Sequence, residues 1–422
     1  MEILFWGCTV IVVCIITGVL FCKPYLGIVF VIVFIPFEGM VDFGYISIYP
    51  LEAILSIFLL VCICKSIARG GNYFGNKKLL YCSIPFVFCL LLSAVKSMEF
   101  SLAVKELVRW LELFLIYYLT INLIDSEKKI RIILFSIFFT MAVVSTCGIV
   151  SYCNSVGYAY WGHRASAPFG NPNPFAAYIS LIIPVLFGAM MTSVLLWERI
   201  MFGVLAVVSI IAWFLSFSKS SWLFLILTMV LVFSLTKGKR KAPLYLAIFF
   251  AIFVITIVFS DIKGNFMNRE KSHPVLSSLK YRVICYPIGF SMVKDDLICG
   301  IGIGNYPLLI KKFTIFDDTT AQNHLHNLFL QLFVDTGFMG LSAFVIWLVY
   351  IVRYLVGSLK VLKDSRIYGL YVGLMGGIIA YLFNNLVDVL VVHGIHLQWG
   401  IILGLAVVLI QFRESEKCSK TV

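Results

Sequence analysis

Charge is what this sequence has least of. Only 13% of its 422 residues are Asp, Glu, Lys or Arg, against about 25% in soluble domains. That scarcity excludes a water-soluble globular enzyme and a disordered chain, both of which need polar surface. The chain also lacks the segments of about 10 alternating polar and apolar residues that a transmembrane barrel requires. No CxxC pair lies near histidines, so the 12 cysteines indicate neither a zinc site nor a disulfide scaffold. Most of them, including Cys8, Cys14, Cys62, Cys64 and Cys89, sit in apolar runs where a thiol acts as a small hydrophobe. Internal repeats and low-complexity tracts are missing, as are the inverted halves expected of many transporters. The first apolar run has no basic leader and no small-residue cleavage site, so it reads as a retained membrane segment.

What remains is apolar: 61% of the residues are hydrophobic, and the mean hydropathy is +1.01. Runs near residues 3–22, 25–37, 45–64, 79–95, 101–124, 130–153, 175–197, 200–217, 220–236, 243–260, 326–356, 367–390 and 395–412 are mostly long enough to cross a bilayer core of about 30 Å. The expected fold is an all-α polytopic membrane protein. Cys22-Lys23-Pro24 splits the first two runs, so 12 or 13 spans are both compatible with the sequence. The net charge of +12 comes mainly from short loops, so topology explains most of the basic excess and no nucleic-acid partner is expected. Lys65, Arg69, Lys77 and Lys78, then Lys128, Lys129 and Arg131, then Lys237, Lys239, Arg240 and Lys241, then Arg353, Lys360, Lys363 and Arg366, and finally Arg413, Lys417 and Lys420 fall on one side if each run crosses once. The positive-inside rule makes that side cytoplasmic. The organisation expected is membrane helices over 1–260 with an outward loop at 154–174, a large extracytoplasmic loop at 261–325, further spans over 326–412, and a cytoplasmic tail at 413–422. The large loop carries eight Lys/Arg and six Asp/Glu, and loops of that size are usually functional or disordered.

In so apolar a chain, surviving ionisable groups are functional candidates by default. They gather toward the outer side: His163-Arg164 before Gly170-Asn171-Pro172-Asn173-Pro174; Lys219 in a polar break; Arg282 and Tyr286 one helical turn apart; Gly300-Ile-Gly302-Ile-Gly304-Asn305-Tyr306; and His324-Leu-His326-Asn327 ahead of Gly337-Phe-Met-Gly340. The glycine stretch mimics a dinucleotide loop but lacks a βαβ setting, and reads as a tight turn. Arg164, Lys219 and Arg282 suit a diphosphate, because guanidinium groups form planar paired hydrogen bonds and clustered cations stabilise a leaving anion. A histidine, with an unperturbed pKa of about 6.5, suits removal of a hydroxyl proton. Together they describe transfer of a group from a phosphate leaving group to an alcohol. Asp295-Asp296 and Asp317-Asp318 are weak Mg²⁺ candidates, so a metal-free reaction without cofactor is expected. His324 is a rival base. Two positions along a helix is about 200° of rotation, so both imidazoles cannot share one cavity if that segment is helical.

These motifs resemble those of the O-antigen ligases and their polymerase relatives over roughly residues 150–400. His326-Asn327, nine residues, then Gly337-Phe-Met-Gly340 resembles the family's H-[NSQ]-x9-G-x-x-[GTY] pattern. Arg164 with Gly170-Asn171-Pro172-Asn173-Pro174-Phe175-Ala176, and Arg282 and Tyr286 ahead of Gly300–Tyr306, resemble two further family elements in the right order. Lys219 stands where the family usually has Arg, Tyr286 where it has Trp, and Leu297-Ile298-Cys299 where a Pro is common. The resemblance implies a GT-C-like, inverting glycosyltransferase of the bacterial cytoplasmic (inner) membrane, with its active site facing the periplasm. Its donor would be a glycan on a polyprenyl (undecaprenyl) diphosphate, and its acceptor a lipid A-core sugar or another lipid-linked glycan. His326 would be the general base. Arg164 and Arg282 would hold the diphosphate with Lys219, and Asn327, Tyr286, Asn173 and Asp388 would support them. The competing expectation is a transporter or flippase for a lipid or glycan, in which Asp388, with Asn384 and Asn385, would bind a coupling ion.

Overall fold

The structure, a computed structural model, describes residues 14–37, 41–42, 47–48, 50–69, 81–154, 164–236, 285–313 and 324–419. Its helices are α1 (Leu26–Phe34), α2 (Pro50–Arg69), α3 (Ile84–Val95), α4 (Phe100–Leu123), α5 (Glu127–Asn154), α6 (Pro172–Thr192), α7 (Leu196–Leu215), α8 (Lys219–Leu235), α9 (Tyr306–Phe313), α10 (Leu328–Leu362), α11 (Tyr368–Asn384) and α12 (Ile395–Ser419). Residues 14–22 and 285–293 are helical too. The β-structure described is a two-residue antiparallel pair, Val41–Asp42 with Ser47–Ile48.

Six helices among the described residues are long and apolar enough to cross a membrane, and three shorter apolar ones accompany them. Apolar runs 3–22 and 243–260 lie partly or wholly outside the described residues, so the full number of spans rests on sequence. Ile200, Val204, Val207 and Ile211, spaced along one face of α7, are all exposed. In water such a stripe would be a liability, whereas a bilayer solvates it.

Helix starts follow local chemistry. Asn171 caps α6 by accepting from the Asn173 backbone N–H at 3.0 Å, and Pro172 takes the first helical position, where its missing N–H is harmless. The apolar run expected at 175–197 ends its helix at Thr192, and α7 begins at Leu196.

The core of the bundle is the α6–α11 pair. A Cβ on Gly188 would lie 2.5 Å from the Gly369 carbonyl, and one on Gly373 would lie 2.5 Å from the Pro184 carbonyl. Only glycine lets the two backbones approach this closely, as in small-residue packing between membrane helices. Gly188 meets Gly369 while Asn384 Nδ2 donates to Ser180 Oγ at 3.1 Å, so the pair is antiparallel. Phe224 lies against Phe383 and the Tyr368 hydroxyl donates to the Leu235 carbonyl, which makes α8 antiparallel to α11 as well. Gly400 packs on Ile116 and Gly404 on Thr120, so α4 and α12 run parallel. One end of the bundle therefore collects the starts of α4, α6, α8, α10 and α12 with the end of α11. Lys128, Lys129, Arg131, Lys360, Lys363, Arg366 and Arg413 lie at the opposite end, the segregation expected from the basic loops.

Candidate active site

Two polar groups occupy the end of the bundle away from those basic loops. The first is built around His326. Residues 324–327 are not helical, and His326 has a φ of 52°, uncommon for a residue with a Cβ. Neighbours on both sides fix this segment. Leu325 N–H donates to Gln331 Oε1 at 2.8 Å, and Leu328 N–H to the Asn385 carbonyl at 2.9 Å. Asn327 caps α10, accepting from the Leu330 N–H at 3.0 Å. Asp388 arrives from the turn after α11. Its Oδ1 accepts from the Val389 N–H at 2.9 Å and lies 3.1 Å from His326 Nδ1. Asn385 holds that turn, with Oδ1 accepting from the Leu390 N–H at 3.0 Å and Nδ2 donating to the Tyr381 carbonyl at 2.9 Å. The side chains of His326 and Asp388 are 15% and 9% exposed, so the contact is shielded yet reachable from one edge.

His324 requires a correction. Its exclusion assumed a helical segment, and the segment is not helical. The His324 and His326 rings meet edge to face with centroids 4.5 Å apart, and both share one site with Asp388. The link to Asp388, rather than helical geometry, is what distinguishes His326.

The second group gathers around Arg164. Its Nε donates to the Ser216 carbonyl at 2.7 Å and its Nη2 to Asn173 Oδ1 at 3.3 Å. Ser218 Oγ also donates to Asn173 Oδ1, at 3.1 Å, and Ala165 N–H donates to the Leu215 carbonyl at 2.9 Å. These bonds bind the 164–173 segment to the α7–α8 turn, where Lys219 opens α8. Burial pushes the Arg164 guanidinium down to about 10, so it remains a cation at neutral pH. Two helix starts, α6 and α8, add their positive ends. Arg282 and His163 lie outside the described residues; Tyr286 is half-buried in helical residues 285–293.

The glycine stretch is a structural junction. Phe338 and Met339 N–H donate to the carbonyls of Leu297 and Ile298 at 2.8 and 3.1 Å, while Ile301 and Gly302 N–H donate to those of Val334 and Asp335 at 2.9 and 3.0 Å. These bonds satisfy backbone groups that the helix releases at Gly337, whose φ of 66° and ψ of −169° interrupt α10. The apolar run at 326–356 is thus broken one-third of the way along. Asn305 locks the loop to residues 96–98, accepting from the Met98 N–H at 2.8 Å and donating to the Lys96 carbonyl at 3.1 Å. Asp296 pairs with Lys96 and accepts from the Cys299 N–H at 2.9 Å. The Lys96 hydrogen bond holds its carboxyl below the usual carboxylate range. Asp317 and Asp318 lie outside the described residues.

One polar row escaped the sequence reading. Glu106, Arg109 and Glu112 recur every three residues along α4, with Lys105 beside the first, a visible signal in an apolar run. Arg109 pairs with Glu106, and Glu112 Oε2 lies 3.8 Å from buried His396 Nε2. Gln331, which accepts from the Leu325 N–H, donates to Asp335 Oδ2 at 2.9 Å one turn further along α10.

Residues 204–345 match the family described as O-antigen ligase. Over that stretch, about a third of the chain, the sequence is similar to the O-antigen ligase family. The matched stretch holds Lys219, Tyr286, the glycine junction, both histidines and Gly337; Arg164, Asn173 and Asp388 lie beyond it. Comparison with curated proteins gives no match. The apolar helices make this a multi-pass membrane protein, and its matched stretch is similar to O-antigen ligases.

Proposed function

We propose that the protein transfers a glycan from a polyprenyl diphosphate carrier to an acceptor hydroxyl at the outer face of the cytoplasmic membrane. The observation that carries this reading is the His326–Asp388 pair at the same end of the bundle as the Arg164–Asn173–Ser218 group and Lys219. Asp388 accepts a hydrogen bond from the Nδ1–H of His326, which leaves the Nε2 lone pair for the acceptor hydroxyl. As that oxygen attacks the anomeric carbon, His326 takes its proton and the bond to the diphosphate breaks. Attack opposite the leaving group inverts the anomeric centre. Arg164 and Arg282, with Lys219, stabilise the departing diphosphate, whose charge grows in the transition state. The proton and leaving-group roles are thus filled by side chains, without a metal. The reading carries with it a GT-C-like architecture of about 12 spans and an acceptor that is a lipid A-core sugar or a second lipid-linked glycan.

The test is incubation of purified protein with a polyprenyl diphosphate glycan and each acceptor class. A new glycosidic product with released diphosphate lipid is expected. Movement of the lipid-linked glycan across proteoliposomes with no product would replace this reading by the transporter one.

A further inference from the structure

We propose that His324, His326 and Asp388 form a binding site for a divalent metal ion of the zinc class, and that metal bound there blocks glycan transfer. Each residue offers one donor atom, and the three atoms lie within 4.8 Å of one another. His326 Nδ1 and Asp388 Oδ1 are already 3.1 Å apart, close to the spacing of on the order of 3.4 Å between donors around a tetrahedral Zn²⁺ with bonds of about 2.0–2.1 Å. His324 closes the set, its ring edge-on to His326 with centroids 4.5 Å apart. A shift of about 1.4 Å at most brings the third donor to bonding distance. The residue that must shift, His324, lies outside any helix, ahead of the hydrogen bonds that fix Leu325 and Asn327. Asp388 is anchored by the Val389 N–H and provides the fixed point.

The donor set selects the ion. Two imidazoles and one carboxylate suit Zn²⁺, Co²⁺ or Ni²⁺ and leave a fourth position open, whereas Mg²⁺ and Ca²⁺ favour all-oxygen sets. The pair is half-buried histidines against a buried carboxylate, so an ion entering at the exposed edge loses only part of its water.

Binding and catalysis make opposite demands on one ring. As a base, His326 keeps its proton on Nδ1, facing Asp388, and its lone pair on Nε2. A metal on Nδ1 takes that lone-pair position, and the neutral ring then carries its proton on Nε2. No net proton is gained or lost. The nitrogen that should accept from the acceptor hydroxyl has become a donor, and the base is switched off. Metal binding stands on the geometry alone; inhibition rests on the proposed role of His326.

Full-length protein, purified with a tag that contains no histidine and stripped with EDTA, is titrated with Zn²⁺ by calorimetry and with Co²⁺ by visible absorption. One equivalent is expected, with affinity at least tenfold weaker in both His324→Ala and Asp388→Asn, each checked for an unchanged melting curve. Failure of the wild type to bind, equal affinity in a folded variant of either kind, or a cobalt–thiolate charge-transfer band marking cysteine ligation would overturn the site. In the transfer assay, Zn²⁺ should inhibit the wild type at concentrations that fill the site, and His324→Ala should need at least ten times more. Full activity of the zinc-loaded wild type would overturn the inhibitory role and count against His326 as base, while leaving the metal site standing. Absent binding with normal transfer would remove the site and leave the proposed function untouched.

Discussion

Asp388 is where the geometry gives an ordered pair of outcomes. Its Oδ1 accepts from the Val389 N–H at 2.9 Å and faces His326 Nδ1 at 3.1 Å. A backbone N–H requires an acceptor at that position, so an asparagine must place its carbonyl oxygen, not its amide nitrogen, toward both partners. Asp388→Asn therefore preserves the ring orientation and the Nδ1 proton and loses only the charge. Hydrogen bonds to ionised groups are roughly twice as strong as neutral ones and contribute about 1.5–3 kcal/mol. Half of that, at about 1.4 kcal/mol per decade, corresponds to a roughly 3–12-fold loss of transfer rate. Asp388→Ala removes the whole contact and leaves the ring free to turn, for a loss of about 10–150-fold. Single-turnover transfer at saturating donor, on proteins matched for melting temperature, separates the two. An asparagine variant slower than the alanine one would refute the placement of Oδ1, and two variants at wild-type rate would remove Asp388 from the reaction.

Gly337→Ala should destabilise the protein more than any catalytic substitution does. Its φ and ψ are open essentially to glycine alone, an added Cβ would lie 2.2 Å from the Ile298 carbonyl oxygen, and the backbone strain by itself is worth about 1–3 kcal/mol; a fallen melting temperature in detergent is the readout. Arg164→Ala should lower turnover by at least about tenfold, since truncating one partner of a buried charge contact costs about 2–5 kcal/mol. Arg164→Lys should recover only part of this, because an ammonium cannot reach the Ser216 carbonyl and Asn173 in the fixed fork of a guanidinium. Cysteines placed at Lys239 and Glu270 in a low-cysteine variant should differ toward an impermeant reagent in intact cells, with 270 labelled and 239 protected. The reverse pattern would invert the membrane orientation.

Much of this was readable from local pattern. Apolar runs marked most helices, and Asn171-Pro172 and Asn327 sit where capping chemistry starts α6 and α10. Asp388 stood out because a carboxylate in an apolar run needs a partner, and that partner is His326. What stayed hidden depends on contacts between distant segments. The interruption of α10 at Gly337 is stabilised by carbonyls of residues 297 and 298, whose backbone conformation no local periodicity records. His324 was set aside on helical geometry, while the left-handed His326 backbone folds both rings into one site. The charged row on α4 falls inside an apolar run that reads as ordinary span, although its spacing of three residues is visible in the sequence.

The most direct measurement is the transfer rate of His326→Ala at matched expression, with donor binding followed in parallel. General-base catalysis is typically worth about 10²–10⁴-fold, so a loss of that size with donor affinity retained is expected. A variant that transfers glycan at a near-normal rate would contradict the assignment of His326 as the base and leave only the cationic group as machinery.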